Sequence, residues 1–291
     1  MERKDFIKLS SLGILGLYSC GISNIMTTKE TLAIQLYTIR DAVSQNPEKA
    51  LEKLAQLGFN QLEIYGYDGL FFGRNLNEFK QILNNTGLKV ISSHHTTGIV
   101  HPGKGSLMTN WEQTVEDLQS LGTKYMVCSY LFPEERTVDH YKKLPDLLEN
   151  SGTVTQKADI QFAYHNHDFE FDSFDEKGNA YDFILRNTSS DRVKMELDLY
   201  WIAKAGLNTV DYFEKYPGRF PLWHIKDMKA GNNDFTEIGN GTIDFRKIFR
   251  YKEKAGLKHW FLEQDSSDKN IFESIAISKK FIQQNSFFDM K

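Results

Sequence analysis

From residue 32 onward, the hydrophobic positions of the chain follow two alternating periods. Short apolar runs, as long as a buried strand, alternate with stretches in which apolar residues recur every three or four positions, as on one face of a helix. No linker rich in proline, glycine and serine interrupts this alternation. The pattern therefore predicts one domain in which strands of a parallel sheet alternate with helices.

The predicted elements have recognisable boundaries. Pro47 is typical of the first turn of a helix, and Gly58, Gly87 and Gly122 each follow the last apolar position of a helical stretch. Strands are predicted at 32–37, 61–65, 88–94, 125–128, 162–167, 193–198, 221–227 and 259–263. Helices are predicted at 47–57, 76–85, 110–121, in the stretch that reaches 157, and at 180–186, 210–216, 245–255 and 271–284.

Eight strand and helix pairs are compatible with a closed barrel or with an open, doubly wound sheet. The first strand is not followed by the glycine-rich phosphate loop that many doubly wound folds carry. The chain has 291 residues, and an α/β barrel takes about 250. We therefore predict a single (β/α)8 TIM barrel over residues 31–291.

Potential metal ligands stand at the ends of the last four predicted strands. His165 and His167 end the fifth strand, Asp198 the sixth, His224 the seventh and Glu263 the eighth. In a barrel of this type the carboxyl ends of the strands form the face that carries the chemistry. Imidazole and carboxylate groups gathered there predict a centre for one divalent metal ion.

Because side chains alternate along a strand, the phase of each polar residue predicts where it points. His167 is in phase with His165, so both are expected at the mouth of the barrel. Glu196 is in phase with Asp198 but one pleat deeper, where it either orients a ligand or fills the barrel interior. His94 and His95 end the third strand, and we expect one of them to reach a substrate and the other to be structural.

Several short motifs, taken together and in this order, resemble the xylose-isomerase-like barrel family, often described as sugar-phosphate isomerases and epimerases. The resemblance covers residues 32 to about 285. Its strength comes from the order and spacing of the motifs, since each one alone is weak. The motifs are residues 34–37, Asn166 with His167, Asp198, residues 224–227, residues 238–245 and Glu263.

The resemblance implies one divalent ion, Mn2+, Zn2+ or Co2+, held by residues from strands five to eight. In this chain the matching residues are Asp198, His224 and Glu263. His165 stands where the family usually has a glutamate, and neutral imidazole is also a competent ligand. Glu170 is a second candidate for the fourth ligand.

The resemblance also implies that a proton is removed from the carbon next to a metal-bound carbonyl. Glu263 is then the base, and His167 either binds substrate hydroxyls or acts as acid or base. Lys226 either supports an enolate oxygen or pairs with Asp227 in a loop. The predicted substrate-binding residues are His94, Tyr37 and Trp201.

The leading functional hypothesis is a metal-dependent isomerase or epimerase of a small sugar or cyclitol. Epimerases of the family are thought to use two glutamates on opposite faces of the substrate, and here His165 replaces one of them. The alternative is therefore a lyase or hydratase that acts on keto-sugars or glycosides. A third hypothesis is a barrel that binds sugars without catalysing a reaction. A fourth is a metal-dependent endonuclease. A formal net charge of −4 disfavours the endonuclease and gives no reason to expect a nucleic-acid partner.

Residues 1–30 differ from the rest of the chain. A basic start precedes an apolar run that is too short to span a membrane, which predicts an export signal. Cys20 follows a segment similar to a bacterial lipoprotein box, so a lipid anchor at Cys20 is possible. We expect an exported, periplasmic or membrane-tethered protein with an unphosphorylated substrate, the alternative being a cytoplasmic enzyme. Homo-oligomers are common in the family and are possible here.

Overall fold

The computed structural model describes residues 31–176 and 178–290. Eight parallel strands form a closed barrel, in which each strand pairs with the strand before and after it in the chain. The first strand pairs with the eighth, with Ile34 beside Leu262. The strands are β1 (Ala33–Gln35), β2 (Gln61–Tyr65), β3 (Lys89–Thr96), β4 (Tyr125–Tyr130), β5 (Gln161–His165), β6 (Val193–Asp198), β7 (Leu222–Ile225) and β8 (His259–Leu262). The predicted (β/α)8 barrel is confirmed.

Helices cover the outside of the barrel, and their ends follow from local sequence. Pro47 occupies the first turn of its helix, and Gly87 ends another helix in the left-handed conformation. The α-helices are Arg40–Gln45, Pro47–Gln56, Leu76–Thr86, Trp111–Gln119, Val138–Gln156, Ala180–Asn187, Leu199–Lys204, Thr209–Lys215, Phe245–Phe249, Lys252–Ala255 and Ile271–Gln283. Within residues 31–176 and 178–290, none of them is both long and apolar enough to cross a bilayer.

The largest departure from the predicted elements follows strand β5. The strand predicted to reach residue 167 ends at His165, and Phe169–Phe171 then forms a 3-10 turn. Two hydrogen bonds to side chains hold the segment that contains the turn. The Asn166 side chain accepts the backbone N–H of Asp198, and the Glu170 carboxylate accepts that of His167.

Two further predictions need smaller corrections. The helix predicted at 245–255 is divided into two short helices, Phe245–Phe249 and Lys252–Ala255. The strand predicted to run to residue 227 ends at Ile225, and Asp227–Met228 instead pairs with Phe235–Thr236 in a small antiparallel hairpin. The chain therefore leaves the barrel wall just after Ile225.

The barrel interior is layered, and the layering places the site. A buried apolar layer contains Ala33, Ala163, Leu222 and Phe261. Two residues further along each of these strands, on the same face, come polar side chains. These are Gln35, His165, His224 and Glu263, each 5 % exposed or less. An apolar plug thus closes the barrel below a layer of polar side chains.

Candidate active site

A cavity of about 810 Å³ opens at the carboxyl ends of the strands. Seven of the residues predicted to form a site line it, namely Tyr37, His94, His165, His167, Trp201, Lys226 and Glu263. The other two predicted ligands, Asp198 and His224, are completely buried. The fold therefore brings the predicted site residues to the same end of the barrel.

Asp198, His224 and Glu263 form a compact group that we call the mouth set. Their facing ligand atoms all lie within 4.8 Å of one another. Oδ1 of Asp198 accepts the backbone N–H groups of Tyr200 and Trp201, at 2.9 and 3.0 Å, because Asp198 caps the helix that follows. These two bonds orient the carboxylate so that Oδ2 faces Nδ1 of His224, which lies 3.9 Å away.

The donor set at the mouth fits a divalent metal ion. Two carboxylates and one imidazole converge there, and this combination suits Zn2+, Mn2+ or Co2+. His165 is adjacent, with Nε2 3.7 Å from Oδ2 of Asp198. Burial lowers the pKa of His165 well below its ordinary value, so this ring is neutral and able to bind a metal.

Glu170, the other candidate for a fourth ligand, has different partners. Its carboxylate accepts the Tyr164 hydroxyl at 2.7 Å and the His167 N–H at 2.8 Å. Burial raises the pKa of Glu170 to about 7. His165 is therefore the better candidate for the fourth metal ligand. Glu170 instead holds the segment that carries His167.

The ammonium group of Lys226 lies among three carboxylates. Nζ is 2.8 Å from Glu263 Oε2, 3.0 Å from Asp198 Oδ2 and 3.3 Å from Asp265 Oδ2. Burial alone would lower the pKa of Lys226, but these carboxylates raise it well above its ordinary value. Burial opposes ionisation of Glu263, yet Lys226 and His224 hold its pKa well below the usual range. Glu263 is therefore ionised at neutral pH and able to accept a proton.

The alternative that Lys226 pairs with Asp227 is wrong. The Asp227 carboxylate accepts the backbone N–H groups of Met228, Gly239, Gly241 and Ile243 instead. These bonds fasten the loop of residues 238–243 beside the site, and Lys226 remains with the mouth set.

This loop allows a stability prediction. A Cβ at position 241 would lie 2.2 Å from Asp227 Oδ1 and 2.6 Å from the Met228 carbonyl oxygen. We expect Gly241→Ala to lower the free energy of unfolding by about 1–3 kcal/mol, because neither atom can move without losing loop bonds. Urea unfolding measures the change. Gly103→Ala is the control, since a Cβ at position 103 meets nothing within 4 Å, and an equal loss in both variants would contradict the prediction.

His167 lies between aromatic rings on one side of the cavity. Its ring stacks on Phe169 with centroids 5.3 Å apart, and Trp201 lies at 5.2 Å and Tyr130 at 5.0 Å. Burial and then the positive charge of Lys226 hold the pKa of His167 well below its ordinary value. It is therefore a neutral imidazole at pH 7, suited to form a hydrogen bond with a hydroxyl group.

His94 and His95 both line the cavity, but they have different partners. His95 bonds the Gly105 carbonyl through Nδ1 at 2.7 Å and packs against Trp111. Burial lowers the pKa of His95 to about 3. His94 instead joins the polar layer of the barrel. Burial opposes its protonation, but Glu63 and Glu196 raise its pKa to about 9.

Sequence reasoning missed three polar residues of the site, Glu63, Gln35 and Asp265. Glu63 is completely buried on β2, with Oε1 2.5 Å from His224 Nε2 and 2.8 Å from Gln35 Nε2. The available signal was a charged residue in the middle of an apolar strand. Asp265 lines the cavity two positions after Glu263, and that spacing was visible in the sequence.

Comparison with known proteins identifies the family. The model of the xylose isomerase-like TIM barrel family matches residues 51–281. The chain belongs to the xylose isomerase-like TIM barrel family. This bears out the resemblance seen in the sequence motifs.

Known proteins that resemble this chain carry different names. An inosose dehydratase of Clostridium beijerinckii is 22% identical over 279 residues, which cover 83% of this chain and 90% of the relative. A sugar phosphate isomerase/epimerase of Parabacteroides distasonis has a TM-score of 0.78 and 27% identity, with 91% and 97% of the two chains covered. The IolI protein, solved with a zinc atom, has a TM-score of 0.72 and 17% identity over 90% of this chain and 100% of its own, and shows the fold alone.

Proposed function

We propose that this protein is a metal-dependent lyase that removes water or an alcohol from a keto-sugar, a keto-cyclitol or an oxidised glycoside. The observation that carries the proposal is the donor set. Within residues 31–176 and 178–290, Glu263 is the one carboxylate that both lines the cavity and belongs to the mouth set. Elimination next to a ketone needs one base of this kind. The relatives named inosose dehydratase support the same reaction class.

Asp198, His224, Glu263 and the neighbouring His165 would hold the divalent ion. Such an ion, when bound, polarises a carbonyl oxygen and makes the neighbouring C–H bond more acidic. Lys226 would contribute in the same direction, because its ammonium lies beside Glu263 and would add positive charge near an enolate oxygen formed there. His94, Tyr37 and Trp201 line the cavity and would bind the rest of the substrate.

Glu263 would take the proton from the carbon next to the carbonyl. The electron pair of that C–H bond becomes the new C=C bond, and the C–O bond at the next carbon breaks. The departing oxygen leaves with its electron pair and takes up a proton, so the products are an unsaturated ketone and water or an alcohol. His167 lines the cavity among aromatic rings and, as a neutral imidazole, would donate a hydrogen bond to the departing oxygen. The proton that this oxygen takes up would come from Glu263.

The size of the cavity supports a substrate with more than one ring. At about 810 Å³ it falls in the upper part of the range found for ligand pockets, roughly 300–1,000 Å³. Its outer wall is aromatic and includes Tyr130, Phe132 and Phe169. A glycoside could place its keto-sugar at the mouth set and its leaving group against this wall.

Isomerisation or epimerisation is the second candidate. The Parabacteroides structure named sugar phosphate isomerase/epimerase favours it, with 27% identity over 91% of this chain. Epimerisation needs a second group on the opposite face of the substrate carbon. His167 is neutral and lines the cavity, so it is the residue that would supply that group.

One experiment separates the two candidates. The Mn2+-loaded protein is incubated with inosose and with 3-keto-glucosides in deuterated water, and the products are analysed by mass spectrometry. We expect a product that lacks one water or one alcohol, and no product after treatment with EDTA. A product of unchanged composition that carries deuterium next to the carbonyl would establish an isomerase or epimerase instead.

The export signal and the lipid anchor at Cys20 concern residues 1–30, which lie outside the described residues. An exported enzyme would meet unphosphorylated substrates, which suits breakdown of extracellular carbohydrate. Localisation, the anchor and homo-oligomer formation remain predictions.

A further inference from the structure

Below the mouth set, two completely buried carboxylates contact three imidazole rings. We call Glu63 and Glu196 the carboxylate floor. Oε1 of Glu63 lies 2.5 Å from His224 Nε2 and 3.0 Å from His94 Nε2. Oε2 of Glu196 lies 2.6 Å from His94 Nε2, 3.0 Å from His165 Nδ1 and 3.2 Å from His224 Nε2. Each ring thus has at least one nitrogen within 3.0 Å of a carboxylate oxygen of the floor.

We propose that Glu63 and Glu196 are positioning residues, which bind the inward nitrogens of His224 and His165 and so direct the opposite nitrogen of each ring to the metal. The inference rests on the metal dependence proposed above. It concerns residues that touch the ligands rather than the substrate.

The geometry of His224 shows why the floor decides the ligating atom. A neutral imidazole has one N–H donor and one lone pair, and a hydrogen bond at one nitrogen determines which form is present. Both nitrogens of His224 face carboxylates at 2.5 Å, Nε2 facing Glu63 and Nδ1 facing Glu263, so each nitrogen donates in these contacts. A metal ion that took the place of the Nδ1 proton would leave Nε2 donating to Glu63. A carboxylate that holds the far N–H of a ligating histidine also makes the ring a stronger ligand.

In His165 the two nitrogens have the opposite roles: Nδ1 faces the carboxylate floor and Nε2 faces the mouth set. Nδ1 lies 3.0 Å from Glu196, so donation from Nδ1 leaves the lone pair on Nε2. Nε2 is the atom on the side of Asp198, 3.7 Å from its Oδ2. The floor thus prepares two rings from two strands for the same metal position.

Gln35 fixes the floor in turn. Its side-chain oxygen accepts the backbone N–H of Tyr37 at 3.0 Å, which orients the amide so that Nε2 donates to Glu63 at 2.8 Å. Oε1 of Glu63 therefore has one donor of fixed orientation besides the two histidines. Gln35, at the end of β1, thus holds the Glu63 carboxylate of β2 in place whether or not a metal is bound.

The same side chains could instead form a metal site of their own. The facing atoms of His94, His165, Glu196 and His224 lie within 4.8 Å of one another, close enough to hold a metal ion themselves. If both groups were occupied together, His165 and His224 would each have to bind one ion through each nitrogen, with both rings fully deprotonated. A positioning role for Glu63 and Glu196 requires only that the metal-bound rings are neutral, so we favour it over a second ion. Binding of a second ion is one of the outcomes that the test distinguishes.

The test compares Glu63→Gln and Glu196→Gln with Glu135→Gln. Glu135 is equally buried, but its partners are Thr97 and the backbone N–H of Phe132, away from the metal ligands. Binding of Zn2+ to the purified protein is measured by competition with a chromophoric chelator. We expect the affinity to fall about 10- to 100-fold in the two floor variants and to stay unchanged in Glu135→Gln.

A second readout uses the unaltered protein, so it does not depend on how a variant folds. Nitrogen-15 spectra of the Zn2+-loaded protein are expected to show His224 protonated at Nε2 and His165 protonated at Nδ1. The opposite tautomers, or floor variants that bind Zn2+ as well as the unaltered protein, would overturn the inference alone. So would two zinc ions per chain with one lost in Glu196→Gln, which would make the deeper group a metal site. No Zn2+ binding at all would overturn both this inference and the proposed metal dependence.

Discussion

Replacing Glu263 by glutamine is expected to lower the turnover of the ketone substrate by about a thousandfold, in the middle of the range for loss of a general base. Glutamine has nearly the same size and can still contact His224, but it cannot accept a proton. It also removes one negative charge from the mouth set, so metal binding is expected to weaken. Turnover and metal content are therefore measured on the same samples, with the metal at saturating concentration.

Asp265→Asn is the matched control for this prediction. Asp265 also lines the cavity and contacts Lys226, at 3.3 Å, but it lies outside the mouth set. Its substitution should therefore cost much less activity than that of Glu263. If Glu263→Gln with bound metal keeps turnover within about tenfold of the unaltered protein, Glu263 is not the base.

The sequence was sufficient to predict the barrel because each strand carries its own signal. The predicted bounds of strands two and six match β2 and β6, and the other strands differ by a few residues at their ends. Asp198, His224 and Glu263 could also be predicted together, because a barrel brings the carboxyl ends of its strands to one face. To predict these three residues together, it was enough to know the order of the strands, and no distance between residues on different strands was needed.

Contacts across the barrel account for most of what was missed. Glu63 and His224 are 161 positions apart in the chain and meet through strands on different sides of the barrel. Strand alternation shows that Glu63 points inward, but not which of the eight strands supplies its partner. For the same reason the sequence could not decide whether Lys226 pairs with Asp227 or supports an enolate oxygen. In the structure its partners are Asp198, Glu263 and Asp265.

Replacing Lys226 by methionine is expected to lower the free energy of unfolding of the metal-free protein by about 3–5 kcal/mol at pH 8, the cost of leaving buried charges without a partner. Methionine keeps most of the length of the side chain but removes the charge. Asp198 and Glu263, which are buried, and Asp265, which is partly buried, would then lack the ammonium that lies within 3.3 Å of each of them. Urea unfolding in the presence of EDTA measures the loss, and Lys226→Arg, which keeps the charge, is the control.

The pH dependence of this loss has a definite sign. In the unaltered protein Lys226 helps to hold the pKa of Glu263 below its usual value, so the ionised carboxylate stabilises the fold above the unfolded pKa of about 4.3. This contribution disappears as the pH falls through the folded pKa. Without Lys226 the buried carboxylates take up protons more readily in the folded protein, so the stability of Lys226→Met should decrease as the pH rises. The loss should therefore be smaller at pH 5 than at pH 8.

A divalent ion and the Lys226 ammonium share two carboxylates, Asp198 and Glu263, so they compensate the same negative charge. Saturating Mn2+ should therefore recover part of the stability that Lys226→Met loses, and more than it adds to Lys226→Arg. Equal gains in the two variants would show that the ion binds away from Lys226, and thus away from the mouth set. A loss at pH 8 no larger than at pH 5 would show that the carboxylates around Lys226 do not depend on its charge.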